Sequence, residues 1–446
     1  MDYSGIDIIK KETLSAHNFD ENFINEIEQR IVDEDFGSIN SLIIIHQDNL
    51  IYEKYYGVWS RSDLHYIASD TKSVASLLVG ISKDKGKITS LDEKIYTIFS
   101  DYSIENLDER KKSISIEHLL TMSAGFEWDE WIPYSDPNNS NTQLKQSDDM
   151  IQYTINRPMA NNPGTQFVYN SGASILLGGI IQRKTGKSVI NFAIENLFNP
   201  LDISTFRWDS KNGITDCGGG LYMRPIDMAK IGYLVLNKGN WNNQQLISEE
   251  WLKASFENNI PAVNQFNYGF QWWNFETALD LIKDIGHASG HGDQYIFVIE
   301  ELEMVIVLTG ENYDNEKKFS AYDLLFEILK ANPDYHKRVI DMGDWIKSIN
   351  IVDYNYKGWE YLGIVYELIS YSEYETAIDI LDKLDENSNH DNWFYYYLYG
   401  KAYYELHDNE KAFYYLNKHA QSNNRSSLHE QAYYDLAMKM IEEINN

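Results

Sequence analysis

A single cysteine, Cys217, in a chain of 446 residues excludes an intrachain disulfide. A disulfide scaffold is ruled out, and a reducing compartment is compatible with the sequence. Cys217 precedes three glycines and has no lysine or histidine close in sequence, so it reads as structural. Basic residues are few: 38 Lys and Arg face 68 Asp and Glu, a formal net charge of −30. Such a surface is a poor partner for nucleic acid or an anionic membrane. No apolar run approaches the roughly 20 residues of a membrane span. The opening Met-Asp-Tyr-Ser-Gly-Ile-Asp lacks the basic and apolar regions of a secretory leader, which makes cytoplasmic the expected location. No Gly-x-Ser-x-Gly elbow, His-Glu-x-x-His, phosphate loop or Gly-x-Gly-x-x-Gly occurs. The usual rival hydrolase and nucleotide-binding classes are thereby removed.

What is present supports well-formed cores. Hydrophobic residues make up 43% of the chain, and its length calls for more than one domain. The most informative segment is Ser69-Asp70-Thr71-Lys72, at the head of the apolar run Val74 to Ile81. At that spacing a hydroxyl and an amine share one face of a helix start. An amine accepts the hydroxyl proton only when uncharged. Lysine ordinarily titrates at roughly 10.4, so the reading requires an apolar, buried setting for Lys72. A second Ser-x-x-Lys, Ser82 to Lys85, lies where the run ends, before Gly86. There lysines are ordinary helix-end cations. Ser69 stands instead at a helix entrance, where unpaired N–H groups can face a carbonyl oxygen.

Further segments follow in order. They are Ile114 to Gly125 (Ile-Ser-Ile-Glu-His-Leu-Leu-Thr-Met-Ser-Ala-Gly), Pro163 to Gly178 with Tyr169-Asn170-Ser171, Gly219 to Lys230, Tyr268 to Trp273, and Ala288 to Ile299. In this order and spacing the chain resembles the serine hydrolases related to class C β-lactamases and penicillin-binding proteins. It is most similar to their esterase and 6-aminohexanoate-dimer-hydrolase-like branch, over roughly residues 37 to 330. The resemblance implies that Ser69 is the acyl-accepting nucleophile and Lys72 its proton acceptor. Tyr169 matches the tyrosine of the family's Tyr-x-Asn motif, and a phenol beside a lysine ammonium can pass a proton to the leaving group. The backbone N–H of Ser69 and one from the Ser289, Gly290, His291, Gly292 segment would hold the oxyanion. No metal or organic cofactor is implied.

Two departures bear on substrate. Ser171 stands where the motif has an amide that would hold a substrate carbonyl or the lysine. The third motif, Lys-Thr-Gly or His-x-Gly, has no lysine. Its counterpart lies between Gly286 and Gly292, with His287 and the Ser289 to Gly292 stretch as alternative registers. Without that cation a β-lactam or peptide carboxylate has no partner. The expectation is hydrolysis of an ester or small amide, with true β-lactamase activity disfavoured. A metal site at His287 and His291 is the competing reading, but no carboxylate or cysteine cluster sits nearby in sequence.

Residues 20 to 34 have the helical spacing Phe23, Ile24, Ile27, Ile31. Leu42 to His46 and Leu50 to Tyr55 flank Gln47-Asp48-Asn49 as a hairpin. Residues 86 to 215 are rich in helix and loop signals, with Trp128 to Asn141 either a loop over the cleft or ordinary surface. Trp272 and Trp273 either wall an acyl pocket or pack in the core. Strands return at 294 to 299 and 303 to 308, and a helix at 321 to 330 would close the domain. The order is α+β, and the resemblance implies an antiparallel sheet flanked by helices, with a helical lobe and the cleft at their junction.

After Asn332-Pro333 strand signals vanish. Gly363 and Tyr366 with Ala377 repeat as Gly400 and Tyr403 with Ala412, an approximate tetratricopeptide pattern with a last helix at 428 to 444. The expected domains are 1–332, a hydrolase, and 333–446, all-helical. The helical part offers either a surface for a protein or peptide partner or a stabilising appendage. The rivals to a serine hydrolase with a small-molecule acyl substrate are a non-catalytic binding or sensor protein of the same fold, and a D-amino-acid peptidase or amidase.

Overall fold

The computed structural model describes residues 9–257, 260–263, 266–313, 317–349, 358–387 and 392–445. Its contacts divide the chain into two compact units. The first comprises Met1–Glu12, Asn40–Phe275 and Asp284–Tyr313; the second comprises Thr13–Ile39, Glu276–Lys283 and Asp314–Asn446.

The first unit is organised on a nine-stranded sheet. Its strands are β1 (Lys10–Lys11), β2 (Ile39–His46), β3 (Asn49–Tyr55), β4 (Ile260–Pro261), β5 (Asn267–Tyr268), β6 (Trp273–Phe275), β7 (Ile285–Gly290), β8 (Gln294–Ile299) and β9 (Met304–Gly310). They lie in the order β1-β3-β2-β9-β8-β7-β6-β5-β4. The pairs β2–β3 and β9 through β4 in succession are antiparallel. β1 runs parallel to β3, so the sheet is mixed where an antiparallel one was expected. That pair is made by an N-terminal segment two residues long, too short to leave a sequence signal. The β2–β3 turn matches the hairpin expectation. Gln47 and Asp48 both have positive φ, 46° and 64°, as a tight two-residue turn requires.

Helix α1 (Asp70–Asp84) packs against β7 and against α3 (Ser171–Thr185); α2 (Ser140–Gln146) belongs to the helical lobe that contains α3. Every residue of α1 from Asp70 to Ser82 is buried. A helix apolar all round is one packed on several sides, and the sequence Val74 to Ile81 meets that demand. Helix α4 (Pro225–Leu236) lies on β8 and β9. Gly232 permits its close approach, since a Cβ there would stand 2.5 Å from Val305.

The second unit is helical. The N-terminal helix Glu21–Val32 buries Ile24, Ile27 and Ile31 and packs on α5 (Ala321–Lys330), which buries Leu324, Leu325 and Ile328. These matching apolar stripes draw two segments that precede residue 332 into the helical unit. α5, expected to close the hydrolase domain, is one of them. Then come α6 (Pro333–Ser348), the pair α7 (Gly358–Ser370) and α8 (Tyr374–Asn387), the pair α9 (Trp393–Glu405) and α10 (Asn409–Ser422), and α11 (Leu428–Asn445). Ala377 and Ala412, the repeating small residues, are both fully buried. Among the described residues no helix is long and apolar enough to cross a membrane.

Candidate active site

The approach to α1 is held in an unusual backbone shape. Ala68 has φ +46°, a left-handed conformation that costs an L residue about 1–2 kcal/mol. Two contacts hold it there: Thr71 donates its hydroxyl to the Ala68 carbonyl at 2.6 Å and accepts from Leu221 N–H at 3.2 Å. The next residue, Ser69, is half-buried at the N-cap, and its side chain makes no capping bond. Among the described residues its backbone N–H has no partner either. Both groups are therefore left for something else.

Lys72 lies one turn on and is 1% exposed. Its Nζ is 2.9 Å from Ser69 Oγ and 2.6 Å from the Gly218 carbonyl oxygen. It also stands 4.9 Å from the centre of the Tyr169 ring, over its face. Burial lowers the Lys72 pKa, against the opposing pull of Glu130. The buried setting that the sequence argument required is present. Burial pushes the Tyr169 phenol well up, so it is neutral, and the nearby Ser69 side chain pulls the other way. Ser69, Lys72 and Tyr169 therefore lie together, with Lys72 Nζ in contact with Ser69 Oγ and over the Tyr169 ring.

Asn170 caps α3 by accepting from Ala173 N–H at 3.1 Å, which turns it away from Tyr169's task. Ser171 is occupied in another way. Its N–H and its hydroxyl each donate to Glu130, both at 2.8 Å. Trp128 Nε1 donates to the same carboxylate at 2.6 Å. Glu130 is 5% exposed, acts electrostatically on Lys72, and was missed by sequence reasoning. It lies within the segment Trp128 to Asn141, whose two readings, a loop over the cleft or ordinary surface, single out no acid.

Two more supports were missed. Gln271 donates to the Leu119 and Leu120 carbonyls, each at 3.0 Å, and accepts from Ser174 at 2.6 Å, while its own carbonyl accepts from Ser73 at 2.7 Å. It thus ties α1 to α3. Lys145 on α2 is ion-paired with Asp216, whose other oxygen accepts from Gly218 N–H at 3.1 Å. Burial lowers the Lys145 pKa to about 8, helped by the neighbouring Lys72 charge. Gly218 is the residue whose carbonyl meets Lys72, so this chain braces the wall behind the amine. Asp70 is fully buried, with neither oxygen paired among the described residues; burial raises its pKa far above the carboxylate range, so it is neutral.

The histidine registers separate. His287 is enclosed by Phe266, Phe275, Tyr295 and Phe297, and burial drives its pKa down to about 3. Gly290, at the end of β7, comes up against the Ser69 turn: a Cβ there would stand 2.4 Å from the Ile67 carbonyl oxygen. The stretch Ser289 to Gly292 therefore borders the site. His291 sits between Tyr134 and Tyr313, with ring centres 5.2 and 5.4 Å away. Among the described residues no group of three His, Cys, Asp or Glu is placed to hold a metal ion. Aromatic rings wall Tyr169: Trp131 at 5.4 Å, itself 61% exposed, and Trp273 stacked at 5.6 Å. Trp272 is fully buried, so the two adjacent tryptophans divide between core and site.

A family model described as Beta-lactamase matches residues 40–330. The 6-aminohexanoate-dimer hydrolase of Paenarthrobacter ureafaciens is 21% identical over 284 residues, covering 58% of this chain and 70% of that protein. The lovastatin esterase of Penicillium rubens is 24% identical over 247 residues, covering 47% of this chain and 59% of that protein. Across eight of the curated relatives it matches, the chain spans between 32% and 70% of their lengths. The octameric penicillin-binding protein homologue from Pyrococcus abyssi superposes with a TM-score of 0.53 at 19% identity, covering 72% of this chain and 81% of that one. At that identity the likeness shows the fold.

Proposed function

The chain belongs to the beta-lactamase family, and on that premise we propose that it is a serine hydrolase working through an acyl-enzyme on an ester or small amide. The observation that carries the reading is the 2.9 Å contact between Lys72 Nζ and Ser69 Oγ, with the amine buried. A neutral Lys72 donates one N–H to the Gly218 carbonyl and presents its lone pair to the Ser69 hydroxyl. As Ser69 Oγ attacks the substrate carbonyl, its proton passes to Lys72 Nζ. The oxygen that gains charge is held by the Ser69 N–H and by an N–H from the Ser289 to Gly292 segment. Tyr169, a neutral phenol, protonates the departing alcohol or amine and is reprotonated by the Lys72 ammonium, which restores the neutral amine. Water then releases the acid from Ser69. Ser171 acts through Glu130, not on substrate.

Substrate class follows from what borders the site. The Ser289 to Gly292 stretch carries no lysine, and Lys145 is spent on Asp216. A substrate carboxylate would find no cation there, whereas the Trp131 and Trp273 rings favour an apolar acyl or leaving group. Relatives named lovastatin esterase and 6-aminohexanoate-dimer hydrolase support an ester or small-amide class.

The test is intact-protein mass spectrometry after treatment with a fluorophosphonate. The expected result is one adduct on the wild type and on Ser82→Ala, and none on Ser69→Ala. An unmodified wild type, or an adduct that survives Ser69→Ala, refutes the reading. A p-nitrophenyl ester panel then ranks acyl groups.

We infer further that the chain works in the cytoplasm and that the helices after residue 333 receive a protein or peptide. Buried, unpaired Cys217 supports the first, and cell fractionation tests it. Phe413 and Tyr414, 40% and 53% exposed on α10, support the second. Unchanged peptide-array binding by the Phe413→Ser, Tyr414→Ser double variant would refute it.

A further inference from the structure

The wall behind Lys72 is built on a buried carboxylate that has no step in the proposed chemistry. Asp216, 7% exposed, accepts from Gly218 N–H at 3.1 Å and so fixes the turn that presents the Gly218 carbonyl to Lys72 Nζ at 2.6 Å. The turn is closed tightly on this residue. The Asp216 carbonyl accepts from Gly220 N–H at 3.1 Å and from Trp208 Nε1 at 2.8 Å, and a Cβ on Gly220 would stand 2.6 Å from Asp216 Cβ. An acceptor at position 216 is therefore needed to shape the wall. Its negative charge is a separate matter: an anion this close to the amine favours the ammonium, whereas the reaction requires the neutral form.

Lys145, near the end of α2, supplies the counter-charge through its ion pair with Asp216. It is half-buried, and it feels Lys72: burial first, then the Lys72 charge, brings its pKa down to about 8. At neutral pH it still carries its proton. Coupling between two titrating groups is reciprocal, so the Lys145 ammonium disfavours a second ammonium on Lys72. The other groups facing the two amines do not replace it. Around Lys72, Asp70 on the same helix is kept neutral by burial, and so are the phenols of Tyr169 and of Tyr134, the latter pushed up to about 12. Burial lowers the Lys72 pKa, and Glu130 is first among the groups that oppose the fall. Around Lys145, burial pushes the Cys217 thiol up to about 12, and Glu130 and Asp209 favour the ammonium. Lys211 is occupied by the Lys145, Gln146 and Ser147 carbonyls, at 3.1, 3.2 and 2.5 Å. Among the described residues Glu130 has no ion pair of its own, accepting instead from Ser171 and Trp128. With Lys145 in place, Glu130 is the one uncompensated carboxylate behind the amine; without it, Asp216 would be a second.

We propose that Lys145 is a positioning residue for the acyl transfer: by neutralising Asp216 it lets that carboxylate shape the Gly218 turn while Lys72 remains the uncharged proton acceptor. The inference rests on the serine-hydrolase reading. It gives Lys145 a role that runs through Asp216 and Lys72 and not through the substrate.

The pH profile of kcat/KM for a p-nitrophenyl ester, measured on the full chain, tests it, since that profile reports groups of the free enzyme. Lys145→Met leaves Asp216 unneutralised, so the Lys72 ammonium persists to higher pH. The acid limb is expected to move up by about one pH unit, the order of one partly screened charge. Adding Asp216→Asn to Lys145→Met removes both charges and keeps an acceptor for Gly218 N–H, and the limb is expected to return most of the way to its wild-type position. Lys145→Arg keeps the charge and should leave the limb in place. A merely structural role would lower activity across the whole profile and make the double variant worse than the single one. Thermal melts confirm folding, and Lys145→Gln replaces Lys145→Met if the latter does not melt cooperatively. An acid limb that is unmoved or moves down in the Lys145 variant, or moves up further in the double variant, overturns the assignment. A wild type that turns over no ester and takes no fluorophosphonate refutes the hydrolase reading and this inference with it. A labelled, active wild type whose limb ignores Lys145 refutes this inference alone.

Discussion

The two ends of α1 carry the same Ser-x-x-Lys pattern and do opposite things with it. At the entrance, Ser69 is half-buried and leaves both its hydroxyl and its N–H uncommitted to the helix. The amine one turn on is buried and aimed at that hydroxyl. At the exit, Ser82 is fully buried and donates its hydroxyl to the Leu78 carbonyl of its own helix at 2.8 Å. Its Lys85 is exposed. Spacing alone therefore creates nothing. The entrance differs because Ala68 takes a left-handed turn, which lifts Ser69 out of the helical hydrogen-bond ladder, and because burial lowers the lysine's pKa. Helix ends leave their groups unpaired at both termini, but only one end here has been supplied with a partner.

The largest effect should come from the entrance itself. Ser69→Ala removes the nucleophile and is expected to lower ester turnover at least about 10³-fold, or ~4 kcal/mol in the barrier. Lys72→Met should cost a comparable factor while leaving the fold intact, because a buried amine is replaced by an apolar group of similar length. Residual turnover within tenfold of the wild type in either variant would mean the two ends of the helix are chemically alike.

Glu130 sets the electrostatics of the entrance. Its charge opposes the fall in the Lys72 pKa. Glu130→Gln is therefore expected to lower that pKa further. Activity requires the neutral amine, so the acid limb of the kcat/KM profile should move to lower pH. An unmoved limb, or one displaced upward, would show that Lys72 is not the titrating base. Glu130→Ala also strands the Trp128 indole N–H and both Ser171 donors, with an expected loss of about 3 kcal/mol in urea unfolding.

Gly290→Ala tests the neighbour that closes the entrance. The added methyl would press on the Ile67 carbonyl at 2.4 Å. Such overpacking should cost about 1–3 kcal/mol of stability. It should also lower kcat more than it raises KM, because the residue displaced is two positions before Ser69. A change confined to stability would separate β7 from the site.

Much of this was legible in the sequence, and the failures share a cause. The apolar run after Ser69, the Gln47-Asp48 turn and the strands around residues 294 to 310 are local patterns, and each appeared within a residue or two of its expected place. The sheet's parallel edge strand, two residues long, has no local pattern to show. Tyr169 was identified by its position in a motif, since a count of 33 tyrosines carries no information. Glu130 and Gln271 were missed because their roles depend on partners 41 and 97 residues away, Ser171 and Ser174. An acid among 68 acids gives no sign that it will be buried. His287 and His291 were ambiguous for a related reason. Four residues apart on paper, they differ in whether the sheet covers them, and only the pairing of β7 between β6 and β8 decides it.

The smallest effect should come from the exit of the helix. Ser82→Ala deletes one hydroxyl that bonds back to the turn before it. Such back-bonding slightly destabilises and bends a helix, while alanine is the better helix former, and both offset the loss of the buried bond. The expected change in unfolding free energy is within about 1 kcal/mol of zero, with ester turnover unchanged. A tenfold loss of turnover would place Ser82 in the chemistry and abolish the contrast between the two ends. A loss of several kcal/mol without loss of turnover would instead show that the exit hydroxyl anchors α1 against its neighbours, since one neutral bond to a helix carbonyl contributes only about 0.5–1.5 kcal/mol.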